Sequence, residues 1–363
     1  MRRSTKLANN ALKVVPMTLI TSSKGNVEFG LLLNTQYPVN YPFALAIDEQ
    51  IAFVHQARDN GWGTLSLGHH FLSSGMKQLQ SLPFIARLIP ESGDMSLMLG
   101  ILLLSYMNPV ETAETVAALD VMSLGRITLG VGLGYREIES AAFGLNKSDL
   151  VSRLESNLEV IKSLWSGKPT SCDLPWCRLQ DAELTMLPVQ MPRPPILMAA
   201  NNNPAVKRAA RMADGWLINP HARLEMIEEQ LGLFIAARAA AGLPEVRSNE
   251  MPVMREVVCA STREEADDLA TKWLGAKYKT YVEWGQDKAL PGNESFDRPF
   301  GELAEQRFVI GTPDDCTEQL MKWHKSLGLD RFVLKFHSPG MPFGASLASQ
   351  RLLATEVLPA FQG

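Results

Sequence analysis

A chain of 363 residues, 46% of them hydrophobic, can bury one large core or two smaller ones. Its formal net charge of −4 removes the electrostatic case for a nucleic-acid partner, and a charged fraction of 20% removes the case for a solvated, disordered chain. The most apolar run, residues 95–107 (MSLMLGILLLSYM), is too short to cross a bilayer, so no membrane role is expected.

Residues 1–27 hold five basic residues and no acidic one, without the apolar core and small-residue cleavage site of a leader peptide. We read residues 1–26 as a flexible N-terminal tail and 27–363 as one domain. Residues 27–33 (VEFGLLL) have strand character. Residues 45–60 read as an amphipathic helix, with Ile47, Ile51 and Val54 at helical spacing and Gly61 at the C-cap. A second strand, 64–67, ends at Gly68-His69-His70-Phe71. A helix at 82–89 tolerates Pro83 in its first turn. The third strand, 96–104, is followed by a helix from Pro109 to Leu124.

Strand four lies within Met122–Tyr135 and runs into Gly130, Gly132 and Gly134. A helix at 150–165 stops at Gly167. Residues 170–195 form an excursion broken by five prolines. Strand five is 196–200, and Asn201-Asn202-Asn203-Pro204 opens a helix to Ala213. Strand six is 215–219, followed by a helix at 224–241. Strand seven is 253–260, and Thr262 caps the next helix with Glu265 at capping-box spacing. Residues 278–306 show no clear period. Thr312-Pro313 opens another helix, strand eight is 331–336, and a helix from 346 to 360 closes the chain.

Eight strand–helix units with nearly continuous apolar strands favour an α/β fold, a closed (β/α)₈ TIM barrel with insertions, over an open sheet. Function in a barrel sits at the C-terminal strand ends. That rule selects Asn34, Gly68–His70, Ser105–Met107, Gly130–Arg136, Asn201–Asn203, Asn219, His221 and Lys335–His337. The three alternating glycines lack G-x-G-x-x-G spacing, so they suit close approach by either a ligand or neighbouring chain. The asparagine run offers amides at a helix N-terminus, where an anion binds, although plain capping needs only one asparagine. Adjacent His69 and His70 point to opposite sides of a strand end, so one can face a pocket; proton handling suits His69. There is no H-x-H, no H-E-x-x-H and no cluster of carboxylates at strand ends, and no metal is expected.

Ordered landmarks then carry a resemblance: GWGTLSLGHHF (61–71), NPVETAETVAALDVMSLGRITLGVGLGY (108–135), PPILMAANNNPAVKRAARMADGW (194–216), IGTPDDCTEQL (310–320) and HSPGMP (337–342). The sequence resembles the bacterial luciferase-like flavin-dependent monooxygenases over nearly all of 27–361. The resemblance implies a barrel that binds reduced FMN, or a deazaflavin in one branch, at its C-terminal face. It implies O₂ as co-substrate and a separate NAD(P)H-dependent flavin reductase as partner. By the same resemblance, His69 matches an active-site histidine preceded in luciferase by an acid, here Gly68. Gly100-Ile101 falls where a non-proline cis peptide underlies the flavin ring. Asn201, Asn202, Asn203 and Ala205 match the phosphate-binding segment. Leu133 stands where luciferase has a basic residue, and Arg136 is the available substitute. Gly132 is expected to clear space beside the flavin.

Residues 278–306, between strand seven and the following barrel helix, match a mobile lid. Tyr106, Trp284 and His337 are candidate substrate contacts. Leu104, Tyr106, Met107 and Met341 suggest a small, largely apolar organic substrate. Four cysteines without a C-x-x-C point to reduced thiols and a cytoplasmic protein. A homo-oligomer is expected by analogy. The alternatives are a deazaflavin-dependent oxidoreductase on the same fold and a non-catalytic flavin-binding subunit.

Overall fold

The eight apolar runs become eight parallel strands in a computed structural model that describes residues 20–21, 27–291 and 294–362. They are β1 Glu28–Leu33, β2 Thr64–Leu67, β3 Ser96–Leu103, β4 Ile127–Gly132, β5 Ile196–Ala199, β6 Gly215–Leu217, β7 Val253–Cys259 and β8 Arg331–Lys335. Residues of β2, β4, β6 and β7 are buried at every position, so both faces are covered and the apolar runs are continuous rather than alternating.

Each strand pairs with its sequence neighbour, and β8 returns to β1. The seam between β6 and β7 is closed by one ladder pair, Ile218 with Val253. There the Ile218 amide donates to the Pro252 carbonyl at 3.0 Å and the Met254 amide to the Ile218 carbonyl at 2.9 Å. The result is a closed (β/α)₈ barrel.

Helices flank the strands, and local chemistry explains their starts. Asn108 accepts from the amides of Val110 and Glu111 ahead of Pro109–Met122. Thr312 and Asp315 form a complete reciprocal box at the head of Pro313–Leu327. At Thr262 only the hydroxyl half forms, with the Glu265 amide.

The sequence reading and the structure part at several places. Residues 278–306 are helical at their start, because Gly275–Glu283 continues from Arg263–Leu269 through the π-turn Ala270–Leu274. A π-turn inserts an extra residue, so the apolar period slips and the helix is hidden from a 3.6-residue search. A short strand, Val309–Gly311, also pairs with β7. The closing helix starts earlier than expected, at Phe343. Within the excursion, Thr170–Leu174 and Cys177–Ala182 form an antiparallel hairpin. Of the expected tail, only Ile20–Thr21 falls among the described residues, and these pair in parallel with Val246–Arg247.

Strand β3 sets the geometry of the barrel mouth. Its register with β4 shifts between Leu99 and Leu102, and the Gly100–Ile101 peptide is cis. Neighbouring strands give it room. A Cβ on Gly68 would lie 2.5 Å from the Gly100 carbonyl oxygen, and one on Gly130 would run into the Leu99 carbonyl oxygen. Only glycine fits beside that bend.

Candidate active site

A cavity of about 820 Å³ opens at the C-terminal strand ends. Of the residues selected from sequence, His69, Gly100, Ile101, Gly132, Arg136, Asn201, Asn202, Ala205 and Trp284 line it together. Asn203, Tyr106 and His337 do not.

His69 follows β2 and is 6% exposed. Its Nδ1 lies 2.6 Å from the Ser81 hydroxyl, and its Nε2 has no hydrogen-bond partner among the described residues. Burial, helped by neighbouring His70, pushes its pKa down to about 4, so the imidazole is neutral at pH 7. A neutral ring with one uncommitted nitrogen at a cavity wall can accept or pass a proton.

His70 lines the cavity as well, contrary to the expected opposition: β2 ends at Leu67, so strand alternation does not govern the pair, and the His70 ring meets Trp284 edge-on at 5.6 Å. Its Nδ1 sits 3.1 Å from Glu139 Oε1, which also accepts from the Phe71 amide at 2.9 Å. The carboxylate absent at Gly68 is thus supplied to the second histidine by Glu139, from the short helix Glu137–Ala142.

Arg136 has its guanidinium committed to protein. Nη1 donates to the Phe71 carbonyl at 2.8 Å and Nη2 to the Leu72 carbonyl at 3.1 Å, while the group lies 4.1 Å over the Trp284 ring. It ties the loop after β2 to the loop after β4 and to the segment beyond β7. The helix Asn203–Met212 begins at the cavity edge. Asn202 caps it by accepting from the Ala205 amide at 3.0 Å. Asn201 accepts from the Asn219 side chain at 2.7 Å, and Asn203 accepts from Gln230 at 3.3 Å. Each asparagine therefore has a separate task.

Two expected contacts point elsewhere. β3 ends at Leu103, and the 3₁₀ turn Leu104–Tyr106 swings Tyr106 onto Phe143, with ring centroids 5.3 Å apart. β8 ends at Lys335, so strand alternation no longer governs His337. That ring packs on Tyr37 at 5.2 Å and meets the Ser346 hydroxyl at 3.3 Å. Gly132 borders the cavity, yet a Cβ there would strike the Ile101 side chain, and one on Gly134 would strike the Tyr106 hydroxyl. The alternating glycines serve neighbouring chain as well as the cavity.

The sequence reading selected Lys335 and His221 but missed Glu256 and Lys277, which join them in a charged wall. Glu256 on β7 and Lys335 on β8 are register partners, and both line the cavity. Lys277, from Gly275–Glu283, bonds to Glu256 Oε1, and Lys335 Nζ stands 4.0 Å from the same oxygen. Burial and Lys277 push Lys335 well below the usual ammonium range. His221, also at the cavity, is held neutral first by burial and then by Lys277, Lys335, Arg307 and Arg255. The available signal was Arg255-Glu256 interrupting the apolar run of β7 (VMREVVC).

A closed barrel with one large, partly polar cavity at its C-terminal rim is the architecture of a barrel enzyme. Residues 27–331 match the family described as luciferase-like monooxygenase, and the chain belongs to that family. It is 25% identical to the oxygenase component of flavin-dependent trigonelline monooxygenase from Acinetobacter baylyi, over 86% of this chain and 89% of that protein. It is 25% identical to F420-dependent glucose-6-phosphate dehydrogenase from Amycolatopsis mediterranei, over 64% of this chain and 70% of that one. Among solved structures it resembles the oxygenating constituent of 3,6-diketocamphane monooxygenase from Pseudomonas putida, in complex with FMN. That match has a TM-score of 0.78 and 19% identity, covering 92% of this chain and 98% of that one.

Proposed function

We propose that this chain is the oxygenase component of a two-component flavin monooxygenase. It takes reduced FMN from a separate NAD(P)H-dependent flavin reductase and uses O₂ to oxygenate a small organic substrate. The observation that carries this reading is the opening of a helix N-terminus and a largely apolar barrel floor onto the same cavity, within a monooxygenase family. The residues present fit a flavin mononucleotide. Asn201, Asn202 and Ala205 would hold its phosphate, and Gly100, Ile101 and Gly132 would lie against its ring. Bound there, the reduced flavin supplies the electrons that activate O₂.

The chain's own residues do the rest. His69 would hold or move a proton at Nε2. Arg136, already bonded to Phe71 and Leu72, would brace the chamber rather than grip the phosphate. Trp284 and the residues after it would act as the lid that excludes water. The four free cysteines support a reducing, cytoplasmic setting, and a homo-oligomer completes the reading.

The test is reductase-coupled O₂ uptake with a panel of small organic substrates, with equilibrium binding of reduced FMN and of deazaflavin measured beside it. Tighter binding of reduced FMN and strictly O₂-dependent product formation are expected. The similarity to an F420-dependent dehydrogenase favours a second reading, a deazaflavin-dependent oxidoreductase that transfers hydride. Preferential deazaflavin binding with turnover that persists without oxygen would select it.

A further inference from the structure

The geometry points to an anion subsite on the β7–β8 wall, where Lys335 selects a substrate that carries a carboxylate or a similar oxyanion. This rests on the reading of the cavity as a substrate chamber, and it replaces the expectation of an apolar substrate.

One carboxylate, Glu256, faces two lysines, and its side chain is 1% exposed. Lys277 already satisfies it, as a direct partner on Oε1. Lys335 Nζ stands 4.0 Å from that oxygen, and burial with neighbouring Lys277 holds it well below the usual ammonium range. A mostly buried amine beside a second lysine resists protonation, and a bound oxyanion would supply the negative charge that holds a proton on it. A purely structural pair needs one lysine, so Lys335 is surplus to it.

Surrounding groups deepen the imbalance. Arg255 donates to the Asn219 and Met254 carbonyls and lies 3.7 Å over Trp323, and it forms no ion pair with a carboxylate among the described residues. Arg307 is paired with Glu294. Tyr281 and neutral His221 complete the wall without adding negative charge. An amine on the cavity lining, beside a lysine whose own carboxylate is already engaged, would take up a proton as an oxyanion binds and then donate a charge-assisted hydrogen bond to it. The asparagine cradle follows β5, and β6 and β7 separate β5 from β8 in the ring. The flavin phosphate and this subsite are therefore different places.

The test uses flavin-free full-length protein with benzoate, methyl benzoate and benzamide as probes, read by calorimetry and by the fluorescence of Trp284. Benzoate should bind more tightly than its ester or amide. Lys335→Met should weaken benzoate about tenfold to a hundredfold, the scale of a charge-assisted hydrogen bond, and leave the ester unchanged. Lys335→Arg should keep the preference for the anion. Equal binding of benzoate and its ester, or unchanged benzoate affinity in Lys335→Met, overturns the proposal. So does a Lys335→Met protein that loses FMN affinity in place of benzoate affinity, since the oxyanion would then be the flavin's. Should Lys335→Met fail to fold, the wild type with 4-bromobenzoate decides. Its anomalous signal must put the carboxylate within hydrogen-bond reach of Lys335 Nζ, and any other location refutes the subsite. Failure of the monooxygenase reading shows separately, as no O₂ uptake with reduced FMN, and leaves the benzoate result standing.

Discussion

His69 and His337 are both buried imidazoles with pKa values lowered to about 4, chiefly by burial, but only His69 borders the cavity. In the unfolded chain each would titrate near 6.5. Between pH 6.5 and 4 the unfolded state therefore binds more protons than the folded one, and stability falls as pH drops through that window. For His337 the contribution is about 3 kcal/mol at its largest. His337→Asn should flatten the loss of stability between pH 7 and 4.5, read as the shift in urea midpoint, and an equally steep loss would contradict its burial as a neutral ring. His69→Ala should cut turnover about 10²- to 10⁴-fold while reduced-FMN affinity holds. Unchanged turnover would remove His69 from the chemistry. His69 was legible because a strand end and an imidazole suffice to name it. Lys335 fell within the strand-end selection too, but its significance depends on Lys277, 58 positions earlier in the chain. No local pattern brings those two together.

At the scale of elements, strand β3 and the helix after β5 make the sharpest demands. Gly68→Ala would press a methyl against the Gly100 carbonyl and the Ile101 amide, which are backbone and cannot swing away. A loss of about 1–3 kcal/mol is expected in denaturant unfolding, whereas Gly301→Ala, in a helix with open space around it, should be neutral or stabilising. Asn202→Asp keeps a good N-cap and sets a negative charge where the phosphate would sit. FMN affinity should fall about tenfold while riboflavin affinity is unchanged, by fluorescence titration. Equal weakening of both would move the cradle elsewhere. These elements were readable because capping and apolar runs are local signals. The helix Gly275–Glu283 was not, because the π-turn before it breaks the period on which such a reading depends.

At the scale of the whole molecule, strand count and order were legible, since parallel strands buried on both faces leave unbroken apolar runs. Closure into a ring was expected from the strand count, but the residues that make the seam were not legible. The ring's closure rests at its thinnest on Ile218 and Val253, between a strand of 3 residues and one of 7. Elsewhere the ladders are longer; β3 and β4 alone hold five registered pairs. This seam is where thermal opening should begin. In native-state hydrogen exchange, the Ile218 and Met254 amides should exchange ahead of those at the centre of β4, and the reverse order would refute a weak seam. A barrel that first parts there remains one curled sheet running from β7 through β8 and β1 to β6. The chain could then be cut between residues 218 and 253 and its new ends left free, with the old ends joined, and still be asked to close the same ring. The place where the fold is least held together is thus also where its beginning and end could be moved.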